Sequence, residues 1–199
     1  MGFGRGDLVE YSPRTEPHAD REGMTVAELC EATMVLSDNT AANLLLRRQG
    51  GPAGLTAWLR GLGDTHTRLD RTEPALNDVP PGEVRDTTTP LTMLCTVQML
   101  VMGEALAPPS RAQLQAWLLG NVTGDKRLRA GMPPGWRVGE KTGTAEATAN
   151  DVGVVRPAPG QGAPAVVACY LTECPVAPAQ RDVAIAQVGR LATAWLRAS

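Results

Sequence analysis

The sequence predicts an α+β fold, with a mainly helical region over residues 1–134 and an antiparallel sheet carrying a packed C-terminal helix over 135–199. Three observations predict it. Capping signals and apolar residues at helical spacing recur through the first part. After Trp136 the pattern changes to short segments rich in Val and aromatics, separated by Gly and Pro. The last stretch then returns to helical spacing, with Val183, Ile185, Val188, Leu191 and Trp195 on a face suited to lie on a sheet.

In chain order, Thr25-Val-Ala-Glu28 has capping-box form, and Leu29, Met34, Val35 and Leu36 continue a helix over 25–36. A second helix is expected over 40–48. A third opens at Gly51-Pro52, since proline is tolerated in a first turn, and ends near Gly61. Residues 64–88 are polar and interrupted by proline, without helical or strand period, which reads as a long ordered loop. Thr89-Pro90 starts an apolar helix to about Met102, and Ser110-Arg-Ala-Gln113 reads as a capping box for a helix to about Leu119. Strands follow at 136–142, 151–156 and 165–172, then a helix over 179–197.

Composition excludes several classes of function. Of 199 residues 43% are hydrophobic and 20% charged, and Gly and Pro together number 37, which places the chain with globular proteins able to bury a core. A formal net charge of -2, with no basic cluster beyond Arg47-Arg48, gives no footprint for nucleic acid or an anionic membrane. No apolar run approaches the length of a membrane span, and the first residues hold no apolar stretch of signal-peptide type. Cys30, Cys95, Cys169 and Cys174 form no C-x-x-C pair, and His18 and His66 are the only histidines, so no metal site is expected. The cysteines read as buried free thiols. Lysine chemistry has two candidates, Lys126 and Lys141, against 17 arginines.

Three short motifs occur in order: Ser37-Asp38-Asn39 after a helix, Glu73-Pro74-Ala75-Leu76-Asn77 in the long loop, and Lys141-Thr142-Gly143 at the end of the first strand. The surrounding stretches are Asp7-Leu-Val-Glu-Tyr-Ser-Pro13, Ser37-Asp-Asn-Thr-Ala-Ala-Asn-Leu-Leu-Leu46 and Arg85-Asp-Thr-Thr-Thr-Pro90. With these motifs the whole chain resembles the class A serine β-lactamases, whose marks include S-D-N, K-T-G and the loop glutamate. The resemblance implies a β-lactamase/transpeptidase-like fold and hydrolysis of a β-lactam through an acyl-enzyme.

Such a reaction needs a base that holds water on the acyl carbon. The resemblance assigns that role to Glu73, with Asn77 as the second holder of the water; around a proline, four residues apart, the two side chains can converge. It implies that Arg71 and Asp86 clamp an Ω-loop over about 71–86 and that the Glu73-Pro74 bond is cis, which sequence alone leaves open. Lys141 and Thr142 would grip the substrate carboxylate, Ser37 would relay a proton toward the lactam nitrogen, and Asn39 would bind the side-chain amide. Asp38 would be structural. The backbone N–H of Thr144 matches half of an oxyanion hole. Arg127 would supply a charge other members place on the next strand, and Tyr11 resembles the aromatic at the site entrance.

The family's nucleophile lies in Ser-x-x-Lys, and none of the four serines here is followed by lysine at that spacing. The expectation from this is an N-terminally truncated member lacking the nucleophile helix. It would be inactive alone, of marginal stability without a complementing segment, and otherwise monomeric, without cofactor, nucleic-acid partner or membrane anchor. The resemblance also implies periplasmic or secreted localisation, and pairs Cys30 with a cysteine outside this sequence. Two other functions stay open: a non-catalytic remnant that binds β-lactams through Lys141, Thr142 and Ser37, and a relative of penicillin-binding transpeptidases and carboxypeptidases. Glu73-Pro74-x-x-Asn77 argues against the last.

Overall fold

The computed structural model describes residues 1–198, and they fall into two compact units, Met1–Thr89 and Pro90–Ser199. In the first unit Thr25 caps α1 (Val26–Glu31) as expected. Its hydroxyl accepts from the Glu28 N–H at 3.2 Å, and Glu28 accepts from the Thr25 N–H at 2.7 Å. The helix widens into a π-helical turn, Ala32–Leu36, and stops at Ser37 in the left-handed region (φ 61°). Asp38 then caps α2 (Asn39–Arg48) through the Ala41 N–H at 2.8 Å. The next helix, α3 (Gly51–Gly61), carries Pro52 in its first turn. Leu29, Ala32, Ala41 and Leu44 of α1 and α2 form the core with Phe3, Ala19 and Met24. The stretch beyond α3 is a loop containing one 3-10 turn, Ala75–Asn77.

The second unit contains α4 (Pro90–Val101), α5 (Pro108–Leu119), a 3-10 turn at Leu128–Gly131, β1 (Arg137–Ala145), β2 (Thr148–Arg156), β3 (Ala165–Leu171) and α6 (Pro178–Ala198). The strands pair antiparallel in the order β1-β2-β3, with Thr142 opposite Asp151 and Gly139 opposite Val154. Side chains alternate along β1. Gly139 meets α5 so closely that an added Cβ would lie 3.2 Å from Leu118 Cβ. Its neighbour Glu140 points the other way, toward the 3-10 turn. On that second face Leu128, Ala149 and Ile185 of α6 form one buried cluster, and Trp136, Val155 and Leu196 another.

Three expectations need correction, and the division into units adds a finding. α5 begins at Pro108, and Ala107 caps it without a side-chain bond. Two prolines in the first turn have no N–H to satisfy, so the Ser110/Gln113 box falls inside the helix. The compact units divide after Thr89, inside the region whose sequence is mainly helical, because α5 packs on β1 and α4 on β3, joining both helices to the sheet. β1 and β2 run several residues further toward their shared turn than expected, since Thr144-Ala-Glu-Ala-Thr-Ala-Asn150 lacks the Val and aromatics that marked the strands. The cysteines are free among the described residues but not fully buried: Cys95 is exposed and the others are half-buried.

Candidate active site

In the first unit, α2 organises the motif residues. Asp38 is wholly buried and accepts from four donors: Ala41 N–H at 2.8 Å, Arg14 N–H at 2.8 Å, Thr15 N–H at 2.9 Å and the Thr15 hydroxyl at 2.8 Å. That capped turn sets Ser37 and Asn39 on either side of a fixed point. The Asn39 N–H donates to the Tyr11 carbonyl at 3.0 Å, and its side-chain amide donates to the Glu10 carbonyl at 2.9 Å. Tyr11 is exposed and has φ 60°, so the aromatic stands at the surface beside Asn39.

One turn further along α2, Asn43 reaches the long loop. Its Nδ2 donates to the Glu73 carbonyl at 2.9 Å and its Oδ1 accepts from the Glu73 N–H at 2.9 Å. The Glu73-Pro74 peptide is cis. Asn77 Nδ2 donates to Glu73 Oε2 at 2.6 Å, so the two side chains expected to hold one water do converge. At the loop's neck Asp86 accepts from Asp70 N–H (2.7 Å), Arg71 N–H (2.9 Å) and Arg71 Nε (2.6 Å), while Asp70 accepts from Asp86 N–H (3.0 Å). Arg71 also donates to the Asp78 carbonyl at 3.1 Å. Arg68 pulls the Asp70 carboxyl down to about 2, and Arg85 does the same for Glu83. An open groove of about 660 Å³ beside this loop is lined by Leu45, Leu46, Leu55 and Trp58, with Cys30 and Glu73 on its wall.

In the second unit, β1 is an edge strand of the described sheet, which leaves polar groups of its backbone without a strand partner there. Lys141 Nζ donates to the Thr142 carbonyl at 2.7 Å. The Thr142 hydroxyl lies 2.5 Å from that of Thr123, which bonds Asn121 Oδ1 at 3.0 Å. Thr144 is exposed. Arg127 is 7% exposed, and its guanidinium donates to Asp182 Oδ1 (2.8 Å), the Gly143 and Asn150 carbonyls (both 2.8 Å) and the Thr144 hydroxyl (2.7 Å). The arginine expected to offer its charge is thus a brace behind Thr144, wired to α6. Among the described residues no group of His, Cys, Asp and Glu is placed to hold a metal ion.

Sequence reasoning missed Asn43, Asp70, Thr123 and Asp182. Asn43 left one signal, since it lies four residues after Asn39 on the same helical face, where asparagine is a poor helix former. The others gave none, because their partners lie far away in sequence or belong to no motif.

A profile of the beta-lactamase enzyme family matches residues 3–196. "Beta-lactamase FAR-1" of Nocardia farcinica is 59% identical over 141 residues, covering 71% of this chain and 45% of that protein. "Beta-lactamase AST-1" of Nocardia asteroides is 51% identical over 172 residues, 86% of this chain and 54% of that protein. The chain therefore spans about half the length of these two curated relatives. Among solved structures, an ancestral class A β-lactamase superposes with a TM-score of 0.94 at 59% identity, over 98% of this chain and 74% of that one. The putative class A β-lactamase PenP from Rhodopseudomonas palustris gives 0.94 at 54% identity, again over 98% and 74%. With motif order, loop clamp and sheet topology all in agreement, the chain belongs to the class A β-lactamases.

Proposed function

We propose that this chain supplies the deacylating and substrate-gripping parts of a β-lactam hydrolase. The observation that carries the reading is the 2.6 Å bond between Asn77 and Glu73 on a loop fixed by Asn43 and by the Arg71–Asp86 pair. A carboxylate and an amide held together on a rigid loop suit the orientation of one water, which Glu73 would deprotonate as it attacks an acyl carbon. Lys141 and Thr142 would bind the lactam carboxylate. Ser37 would pass a proton to the lactam nitrogen, Asn39 would accept the substrate's side chain, and Tyr11 would flank the entrance. Thr144, braced by Arg127, would contribute its N–H to the oxyanion. Asp38, Arg71 and Asp86 would hold the frame. The family's compartment, periplasmic or extracellular, suits a monomeric enzyme acting on incoming antibiotic. No described helix is long and apolar enough to cross a membrane.

These 199 residues contain no Ser-x-x-Lys, so the chain alone has no acylating group of the family's kind. Loss of a nucleophile lowers turnover by about a millionfold in a well-studied serine protease. The purified chain is accordingly expected to leave a chromogenic cephalosporin intact. Supplying in trans a relative's segment that bears Ser-x-x-Lys is expected to restore turnover. In that complex Glu73→Gln should slow steady-state hydrolysis by about 10²–10⁴-fold and accumulate an acyl adduct visible by mass spectrometry. Undiminished hydrolysis by the Gln variant would overturn the assignment of the base.

A further inference from the structure

Directly behind Lys141-Thr142-Gly143 lie two buried carboxyls that none of the roles above uses. Glu140 on β1 and Asp151 on β2 are both 0% exposed. Asp151 is the strand partner of Thr142 and Glu140 that of Gly153, which puts the two carboxyls on one face as diagonal neighbours. Neither oxygen of Glu140 receives a hydrogen bond, nor does Asp151 Oδ1. Asp151 Oδ2 accepts from the Leu128 N–H at 3.1 Å.

Every charged group facing the pair can be named. The 3-10 turn brings Arg129, whose Nε is 3.1 Å from Glu140 Oε1, near enough for an ion pair but not aligned as a hydrogen bond. Arg129 also pairs with Asp125 at 2.6 Å, so its charge is divided. Arg127 acts on Asp151 from a distance and is itself paired with Asp182 of α6. From β3 comes Cys169, opposite Asp151, its thiol pushed up by burial and by that carboxyl. The loop at Gly124 closes the remaining side, where an added Cβ would fall within 2.2 Å of Glu140 Oε1. Two arginines, each already paired with another carboxylate, cannot compensate two carboxylates out of contact with water.

We propose that Glu140 and Asp151 hold a single proton between them, and that this proton positions the Thr142-Gly143 edge of β1. A protonated Glu140 donating to Asp151 satisfies an orphaned oxygen on each and removes the like-charge repulsion. When the proton leaves, two buried negative charges must separate. Glu140 is bonded through the backbone to Lys141, and Asp151 faces Thr142, whose hydroxyl is tied to Thr123. Movement of either carboxyl therefore reaches the strand edge. Burial, then the Asp151 charge, pushes the Glu140 carboxyl well up; burial likewise raises Asp151, moderated by the Leu128 N–H. Glu140 and Asp151 are thus positioning residues. That the edge grips a lactam carboxylate rests on the function proposed above; the shared proton does not.

The test uses the chain as it stands, without lactam or nucleophile, so its failure is separable from failure of the β-lactamase reading. Unfolding in urea in unbuffered solution near pH 6 should release about one proton per chain beyond that of Glu140→Gln, since unfolded carboxyls titrate near 4. Amide NMR signals of Gly143 and Thr144 should shift with pH as the pair titrates, and stay flat over that range in Glu140→Gln. If the Gln variant misfolds, Asp151→Asn, which keeps the buried Glu140 but removes the second negative charge, should likewise leave the Gly143 and Thr144 signals flat over that range. Absence of the extra proton would overturn the pairing, and unmoved amide signals in the unmodified chain would overturn the positioning role.

Discussion

Asp38 shows how much of the site depends on single side chains. Its four accepted hydrogen bonds tie residues 14 and 15 to the first turn of α2, and three of the donors are backbone N–H groups with no equal substitute. Asp38→Ala would orphan all four and remove the cap. A loss of about 3 kcal/mol or more is expected, read as a lower urea midpoint with an unchanged slope. Asn43→Ala acts on one loop residue and should leave the melting temperature nearer the parent, while loosening the grip on Glu73. Hydrogen exchange of the Glu73 amide is expected to rise in that variant. At this scale Ser37, Asp38, Asn39, Glu73, Asn77, Lys141 and Thr142 could be singled out from the sequence as candidates because they sit in short contiguous motifs. Asn43 and Thr123 were not, since their partners lie 30 and 19 residues away and only folding brings them together.

Elements were readable where local signals set their ends. Thr25 and Glu28 form the reciprocal cap that their spacing announces, and Thr25→Ala should cost about 1 kcal/mol by chemical denaturation. The Ω-loop expected over 71–86 is closed at its neck by a partly buried ion pair, with Arg71 and Asp86 side chains 14% and 3% exposed. Arg71→Ala is expected to speed proteolytic nicking within 72–85 several-fold, since local opening governs cleavage there, with a smaller change in global melting. The ends that sequence misplaced had no local signal. α5 begins at prolines that need no cap, and the inner ends of β1 and β2 owe their pairing to each other and not to strand propensity.

Stability as a function of pH belongs to the molecule as a whole. A carboxyl pushed up by burial and by the neighbouring Asp151 charge, as Glu140 is, binds more protons in the folded state than in the unfolded chain at pH values above the ordinary carboxylate range. Stability should then fall as pH rises through that window, by up to about 1.4 kcal/mol per pH unit, and level off above it. Glu140→Gln removes this slope. Melting temperatures taken from pH 5 to 9 in parent and variant check it, and parallel curves would show the carboxyl to be inert.

At this scale the sequence pattern revealed the class of fold, while the contacts that join α4 and α5 to the sheet were not visible in it. The hydrophobic period says which face of α4 or α5 is buried, not that the burying surface is a sheet formed later in the chain. Arg127 carries a last consequence of that long-range wiring. Its counter-ion Asp182 sits near the start of the final helix, so a frameshift or stop codon upstream of α6 would strand a cation behind Thr144. Late-truncated alleles should therefore lose the shape of β1 around Thr144 even where β1 to β3 are still translated.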